Sequence, residues 1–168
     1  MDKKLEKKIA LYEPHPTGTK CKAPPTSPKG RSFQEVPFVI ILDTSVWVEH
    51  LKNNQNYFPR ICKYLECGEI LAVECVFGEL LQGVKNKKEK EIVLSFWKHL
   101  PKKNYENIII EAGEYSANNK LLDHGVGLID SIILMHGIKS NSVIWTLDNK
   151  FLKIIPKEMK YKESPNTV

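Results

Sequence analysis

Four acidic residues stand out because each interrupts or ends a stretch of apolar neighbours. Asp43 ends the run Phe38-Val-Ile-Ile-Leu42, and Asp148 follows Val143-Ile-Trp-Thr-Leu147. Asp130 lies within Leu128-Ile-Asp-Ser-Ile-Ile-Leu134, and Glu79 within Val76-Phe-Gly-Glu-Leu-Leu81. Brought together, two carboxylates about 4 Å apart repel by roughly 4 kcal/mol at an effective dielectric near 20. They stay ionised together only beside a cation. Hard carboxylate oxygens without a His or Cys companion suit magnesium or manganese rather than zinc. Such an ion keeps several waters, completes its shell with phosphate oxygens and activates water as a nucleophile. The expected chemistry is hydrolysis of a nucleotide phosphodiester.

Hydroxyls adjoin three of these acids: Thr44 and Ser45 beside Asp43, Ser131 beside Asp130, and Thr146 two residues before Asp148. They could orient a water or a phosphate oxygen, but Thr44 or Ser45 could equally cap a helix. Gly78, next to Glu79, removes a side chain and leaves room for something to approach. Other chemistries fit less well. A phosphohydrolase with Asp43 as covalent nucleophile generally wants a second acid two residues on, where this chain has Ser45. Acid-base catalysis by His50, His99, His124 or His136 would need partners, and none stands beside one.

The elements that must carry these groups emerge from periodicity. Phe38 to Leu42 reads as a strand buried on both faces and followed by a helix cap. Tyr57, Phe58, Ile61, Cys62 and Leu65 recur at helical spacing before Gly68. Glu69 to Cys75 reads as a short strand, Val76 to Val84 as a helix, Lys85 to Lys90 as a charged turn, and Glu91 to Leu100 as a helix. Asn107 to Ile110 is a third strand candidate, Glu111 to His124 a helix, and Leu128 to Gly137 a further apolar helix. Ser142 to Leu147 gives the last strand and Asn149 to Ile154 the last helix. Strands alternating with helices and joined without hairpins indicate an α/β fold of three layers, α/β/α, around a parallel sheet. Functional groups in such sheets gather outside the carboxyl ends of the strands, which is where Asp43 and Asp148 fall.

The chain has 168 residues, 42% of them apolar, enough for one domain with a real core. Its formal charge of +5 is concentrated at the start. Residues 1 to 37 hold eight Lys or Arg against four acids, leaving 17 against 16 in the remainder. Global charge is therefore weak evidence for RNA binding by the folded part. Six of the ten prolines also fall in those 37 residues, so residues 1–36 read as a disordered or linker-like basic extension and 37–168 as the folded domain.

Cys21, Cys62, Cys67 and Cys75 form no CxxC pair and read as reduced thiols. Trp47, Phe77, Trp97 and Trp145 lie in apolar runs and read as core. The cluster Lys85, Lys87, Lys88 and Lys90 is a solvated loop or a phosphate-contacting rim near Glu79. No apolar stretch of signal-peptide length opens the sequence, and none approaches the roughly 20 residues of a membrane span. The expectation is a soluble, cytoplasmic protein with no membrane partner.

Four segments, in this order, resemble PIN-domain ribonucleases, in particular the VapC-type toxins of bacterial toxin-antitoxin pairs. They are Ile40-Ile-Leu-Asp43-Thr44-Ser45-Val-Trp-Val-Glu-His-Leu51, Val76-Phe-Gly-Glu79-Leu-Leu-Gln-Gly83, Gly127-Leu-Ile-Asp130-Ser-Ile-Ile133 and Ile144-Trp-Thr146-Leu-Asp148-Asn-Lys-Phe-Leu152. The resemblance spans residues 38 to about 155. It implies that Asp43, Glu79, Asp130 and Asp148 bind Mg2+ (or Mn2+), with Thr146 or Ser45 assisting. It further implies endoribonuclease action on a transfer RNA or ribosomal RNA, leaving 5′-phosphate and 3′-hydroxyl ends. A VapB-like antitoxin and a homodimer would be its usual partners. The alternative is a catalytically silent PIN-like domain that binds RNA or a protein. The first 37 residues depart from the pattern, since the family typically begins at the first strand.

Overall fold

The computed structural model describes residues 39–162. The run that begins them forms β1 (Ile40–Leu42), with all three side chains buried. A continuous apolar run is what a parallel strand covered on both faces requires. Asp43 then caps α1 (Thr44–Leu51). After α2 (Phe58–Glu66), which carries Pro59 in its first turn, the chain reverses at Gly68. There φ is +68°, in the left-handed region that glycine enters without penalty.

The second strand, β2 (Ile70–Leu71), is brief and is followed by α3 (Glu74–Gly83) and α4 (Lys87–His99). Next come α5 (Ile108–Asn118), a 3-10 turn at Leu121–His124 and α6 (Leu128–Ser140). Finally β3 (Val143–Trp145) leads to α7 (Asn149–Ile154) and a second 3-10 turn, Lys157–Met159.

The sheet has the order β2-β1-β3 and is parallel throughout. Leu42 pairs in register with Trp145, so the next residues, Asp43 and Thr146, emerge side by side at the carboxyl edge. Single parallel bridges extend the hydrogen bonding on both flanks, Ala72 to Lys102 and Ile144 to Lys160. On the second flank Tyr161 donates its amide to Ile144 O at 2.9 Å. Its ring stacks on Trp145 with centroids 4.0 Å apart, and its hydroxyl meets that of Tyr64 at 3.1 Å. The expected three-layer α/β architecture is the one observed.

Ile40, Ile41, Val46, Ile61, Val76, Ile133, Leu134, Ile144 and Phe151 are fully buried. Each large apolar side chain so buried contributes about 1.5–3 kcal/mol relative to exposure. Trp47, Phe77 and Trp145 belong to this core, and Trp97 packs on its margin. Gly137 allows α6 to lie close to β3, since a β-carbon there would come within 2.9 Å of Ile144 Cδ1 and 2.8 Å of Met159 Cε.

The local expectations fail where tertiary contacts decide. Asn107 to Ile110 is not a strand: Asn107 sits at φ +60° and α5 starts at Ile108. Ile109 and Ile110 are 57% and 64% exposed, so this β-branched run turns outward on a helix that packs against α6. β-propensity reflects a fit to a half-buried pleated surface, which is missing there. The strand expected at 69–75 shrinks to two residues because α3 begins at Glu74. The charged turn expected at 85–90 is likewise mostly helix. Asn86 accepts from Glu89 N at 3.0 Å while the Glu89 carboxylate accepts from Lys85 N at 2.8 Å, and this reciprocal cap starts α4 at Lys87. The helix expected to reach His124 breaks after Asn118, where Lys120 turns left-handed.

Among the described residues, no helix is long and apolar enough to cross a membrane. The expected extension, residues 1–36, and Cys21 lie outside the described residues.

Candidate functional site

Asp43 and Asp148 each leave a strand and each cap the helix that comes next. Asp43 Oδ1 accepts from Thr44 N at 2.7 Å, and Asp148 Oδ1 accepts from Lys150 N at 2.6 Å and Phe151 N at 3.2 Å. Carboxylates at helix N-termini are favoured by the free amides and by the positive end of the helix dipole. Asp43 is buried, at 6% exposure, whereas Asp148 faces solvent.

The other oxygen of Asp43 is fixed by two hydroxyls. Ser45 Oγ and Thr146 Oγ1 both donate to Asp43 Oδ2 at 2.7 Å. Each hydroxyl in turn accepts an amide from the segment between β3 and α7. Leu147 N donates to Ser45 Oγ at 3.0 Å, and Asp148 N donates to Thr146 Oγ1 at 3.0 Å. A hydroxyl has a single proton to give. Both protons go to Asp43, so in this arrangement Ser45 and Thr146 set the orientation of the carboxylate.

Glu79 lies mid-way along α3 and reaches the same edge through Thr44, whose hydroxyl donates to Glu79 Oε2 at 2.5 Å. Asp130 occupies the first turn of α6, where its Oδ2 accepts from Gly127 N at 3.1 Å. Ser131 Oγ donates to Gly127 O at 2.9 Å, which keeps that hydroxyl on its own helix.

Electrostatics tie the four acids together. Burial raises the Asp130 carboxyl above its ordinary range, and the charges of Asp43, Asp148 and Glu79 push it further. The Gly127 amide opposes them. Asp130 is thus within reach of the fields of all three other acids. Among the described residues no lysine or arginine forms an ion pair with any of the four.

A hard divalent cation matches this donor set, which consists of carboxylate oxygens with no cationic partner. As the side chains stand, however, no three His, Cys, Asp or Glu groups among the described residues converge on one ion position. Separate partners anchor three of the four acids: Ser45 and Thr146 hold Asp43, Thr44 holds Glu79, and the Gly127 amide holds Asp130. Of the four, Asp148 is the exposed one.

Two participants carry no clear signal in the sequence. Local spacing shows Thr44 only as a neighbour of Asp43, not as the residue that holds Glu79. Cys75 stands four residues before Glu79 on α3, the spacing that places two side chains on one helix face. Burial, then the charge of Glu79, pushes its thiol up to about 12, so it stays neutral at physiological pH. Of the basic cluster, Lys85, Lys87 and Lys90, but not Lys88, line an open cleft of about 600 Å³ with Val84 and Leu94, and none of the four acids is among its lining residues. His50 stacks on Phe58 and His136 lies edge-on to Tyr105, so both belong to the packing.

The family model of the PIN domain matches residues 40–155. The chain belongs to the PIN-domain family. No curated relative matches it. PIN domains are generally nucleases and typically use divalent metals, so this chain has a nuclease-type fold. All four PIN-like segments read from the sequence lie within the matched span.

Proposed function

We propose that this PIN-domain protein is a Mg2+- or Mn2+-dependent endoribonuclease that cleaves RNA phosphodiesters by hydrolysis. The observation that carries this reading is the environment of Asp130, a half-buried carboxylate in the field of three others, none of the four forming an ion pair with a Lys or Arg among the described residues. Such a cluster is costly unless the protein gains a cation and a phosphate from it. When bound, the divalent ion would offset that charge, polarise the phosphate and activate water for attack on phosphorus.

Asp43, Glu79, Asp130 and Asp148 would hold the ion. Asp43 is pre-set by Ser45 and Thr146, and Glu79 is oriented by Thr44, so two of the four require little ordering on binding. Asp148, the most accessible of the four, would be the one a polynucleotide reaches first. By resemblance to VapC-type toxins the substrate is a transfer or ribosomal RNA, the product ends are 5′-phosphate and 3′-hydroxyl, and a VapB-like antitoxin covers the site of a homodimer.

The decisive experiment is end-mapping of RNA incubated with the purified protein and manganese. Wild type should cut, while excess chelator, Asp43→Asn or Asp130→Asn should each abolish cutting without unfolding the protein. Cutting that survives chelation removes the reading. RNA binding without any cutting leaves the silent-domain alternative. Growth arrest on induction, relieved by Asp43→Asn, tests the toxin role.

A further inference from the structure

Lys150 is an exposed residue in the first turn of α7, and its amide is anchored to Asp148 at 2.6 Å. Its side chain lies against Gly125: a β-carbon built on Gly125 would come 3.1 Å from Lys150 Cδ and 3.2 Å from Nζ. Gly125 itself adopts φ +72°, so its backbone already calls for glycine. The missing side chain also makes the seat on which the lysine rests. Two residues further on, Gly127 holds Asp130 through its amide. The lysine therefore links the helix start that follows Asp148 to the loop that leads into the helix carrying Asp130.

That ammonium has no ion-pair partner among the described residues. An approaching polyanion meets a cluster of carboxylates, and a seated cation beside that cluster supplies the opposite sign. Lysine binds phosphate as a compact point charge, and such contacts fix register rather than read sequence.

We propose that Lys150, seated on Gly125, is a positioning residue that binds a backbone phosphate of the RNA next to the acidic cluster. This rests on the ribonuclease reading for the identity of the polyanion.

Anisotropy of a fluorescent single-stranded RNA, titrated with the full chain in chelator at several salt concentrations, tests it apart from catalysis. Lys150→Met should weaken binding about tenfold and lower the salt slope by about 0.7, the share of one phosphate contact. Lys139→Met, at the far end of α6 and paired with Glu111, should leave both unchanged. Gly125→Ala keeps the charge but displaces the lysine, and should also weaken binding. Wild-type affinity and salt slope in Lys150→Met overturn the proposal, as does failure of the wild type to bind RNA. Binding that depends on Lys150, with no cutting in manganese, leaves the phosphate contact standing and removes the ribonuclease reading instead.

Discussion

Thr146 and Asp43 stand 103 positions apart in sequence, yet the hydroxyl of one donates to the carboxylate of the other at 2.7 Å. The same hydroxyl accepts the Asp148 amide, so one buried side chain couples the exits of two neighbouring strands. Thr146→Val, which keeps the shape, removes a donor and leaves that amide without its acceptor. We expect a stability loss of about 1–3 kcal/mol in urea unfolding. Cleavage should fall about 10–100-fold with the substrate KM nearly unchanged. Ser45→Ala acts on the same oxygen, so a double-mutant cycle should be non-additive; simple additivity would mean that the two hydroxyls work separately.

Asp148 has two tasks that substitution can separate. Asn retains an oxygen for the amides of Lys150 and Phe151 but loses the charge, whereas Ala loses both. Asp148→Asn should therefore keep near wild-type stability with cleavage abolished. Asp148→Ala should lose about 1 kcal/mol more, visible as a lower urea midpoint. Equal midpoints for the two variants would show that the cap contributes nothing.

Asp130 gives a pH dependence of definite sign. Its folded carboxyl titrates above the ordinary value of 3.8, through burial first, against the Gly127 amide that lowers it and with the like charges of Asp43, Asp148 and Glu79 adding to the rise. A group raised on folding contributes stability that is fully present below the unfolded value and is lost as pH rises through the folded one. At neutral pH without divalent ions Asp130→Asn should thus melt higher than wild type, with the difference vanishing in acid. Magnesium or manganese should raise the wild-type melting temperature more than that of the variant. An unshifted or lower melting temperature for Asp130→Asn at pH 7 would contradict this account.

Gly78 adjoins Glu79 and has nothing within 4 Å of where a β-carbon would stand. Helix propensity alone predicts that Gly78→Ala stabilises the fold by about 0.5–1 kcal/mol. If the open space serves the approach of RNA, cleavage should nonetheless fall. Higher stability with unchanged cleavage would show that the helix face at residue 78 is not used.

The two strand-end acids were legible because parallel strands announce themselves as apolar runs and bring their next residues to one edge. Glu79 and Asp130 were legible as single acids in helices whose other residues must face inward. The partners of these acids were not. Ser45 reaches Asp43 over two residues, but that Thr146 addresses Asp43 and Thr44 addresses Glu79 depends on the β1–β3 register and on how α3 lies against α1, and neither is written in local spacing. Ile108 to Ile110 misled for a related reason, since three β-branched residues look like a strand until their exposure is known. Lys150 was invisible because a lysine in a first helical turn reads as a solvated charge, and only the backbone of Gly125 makes it a placed one.

The pairing of Tyr161 with Ile144 bears on where this domain may be cut. The family match stops at residue 155, but the strand partner and ring that cover Trp145 come from residues 160 and 161. A fragment trimmed to the matched span would bare one margin of the sheet and an indole face, an invitation to aggregate. Any expression boundary for this chain should keep Lys160 and Tyr161 rather than stop at the limit of sequence similarity.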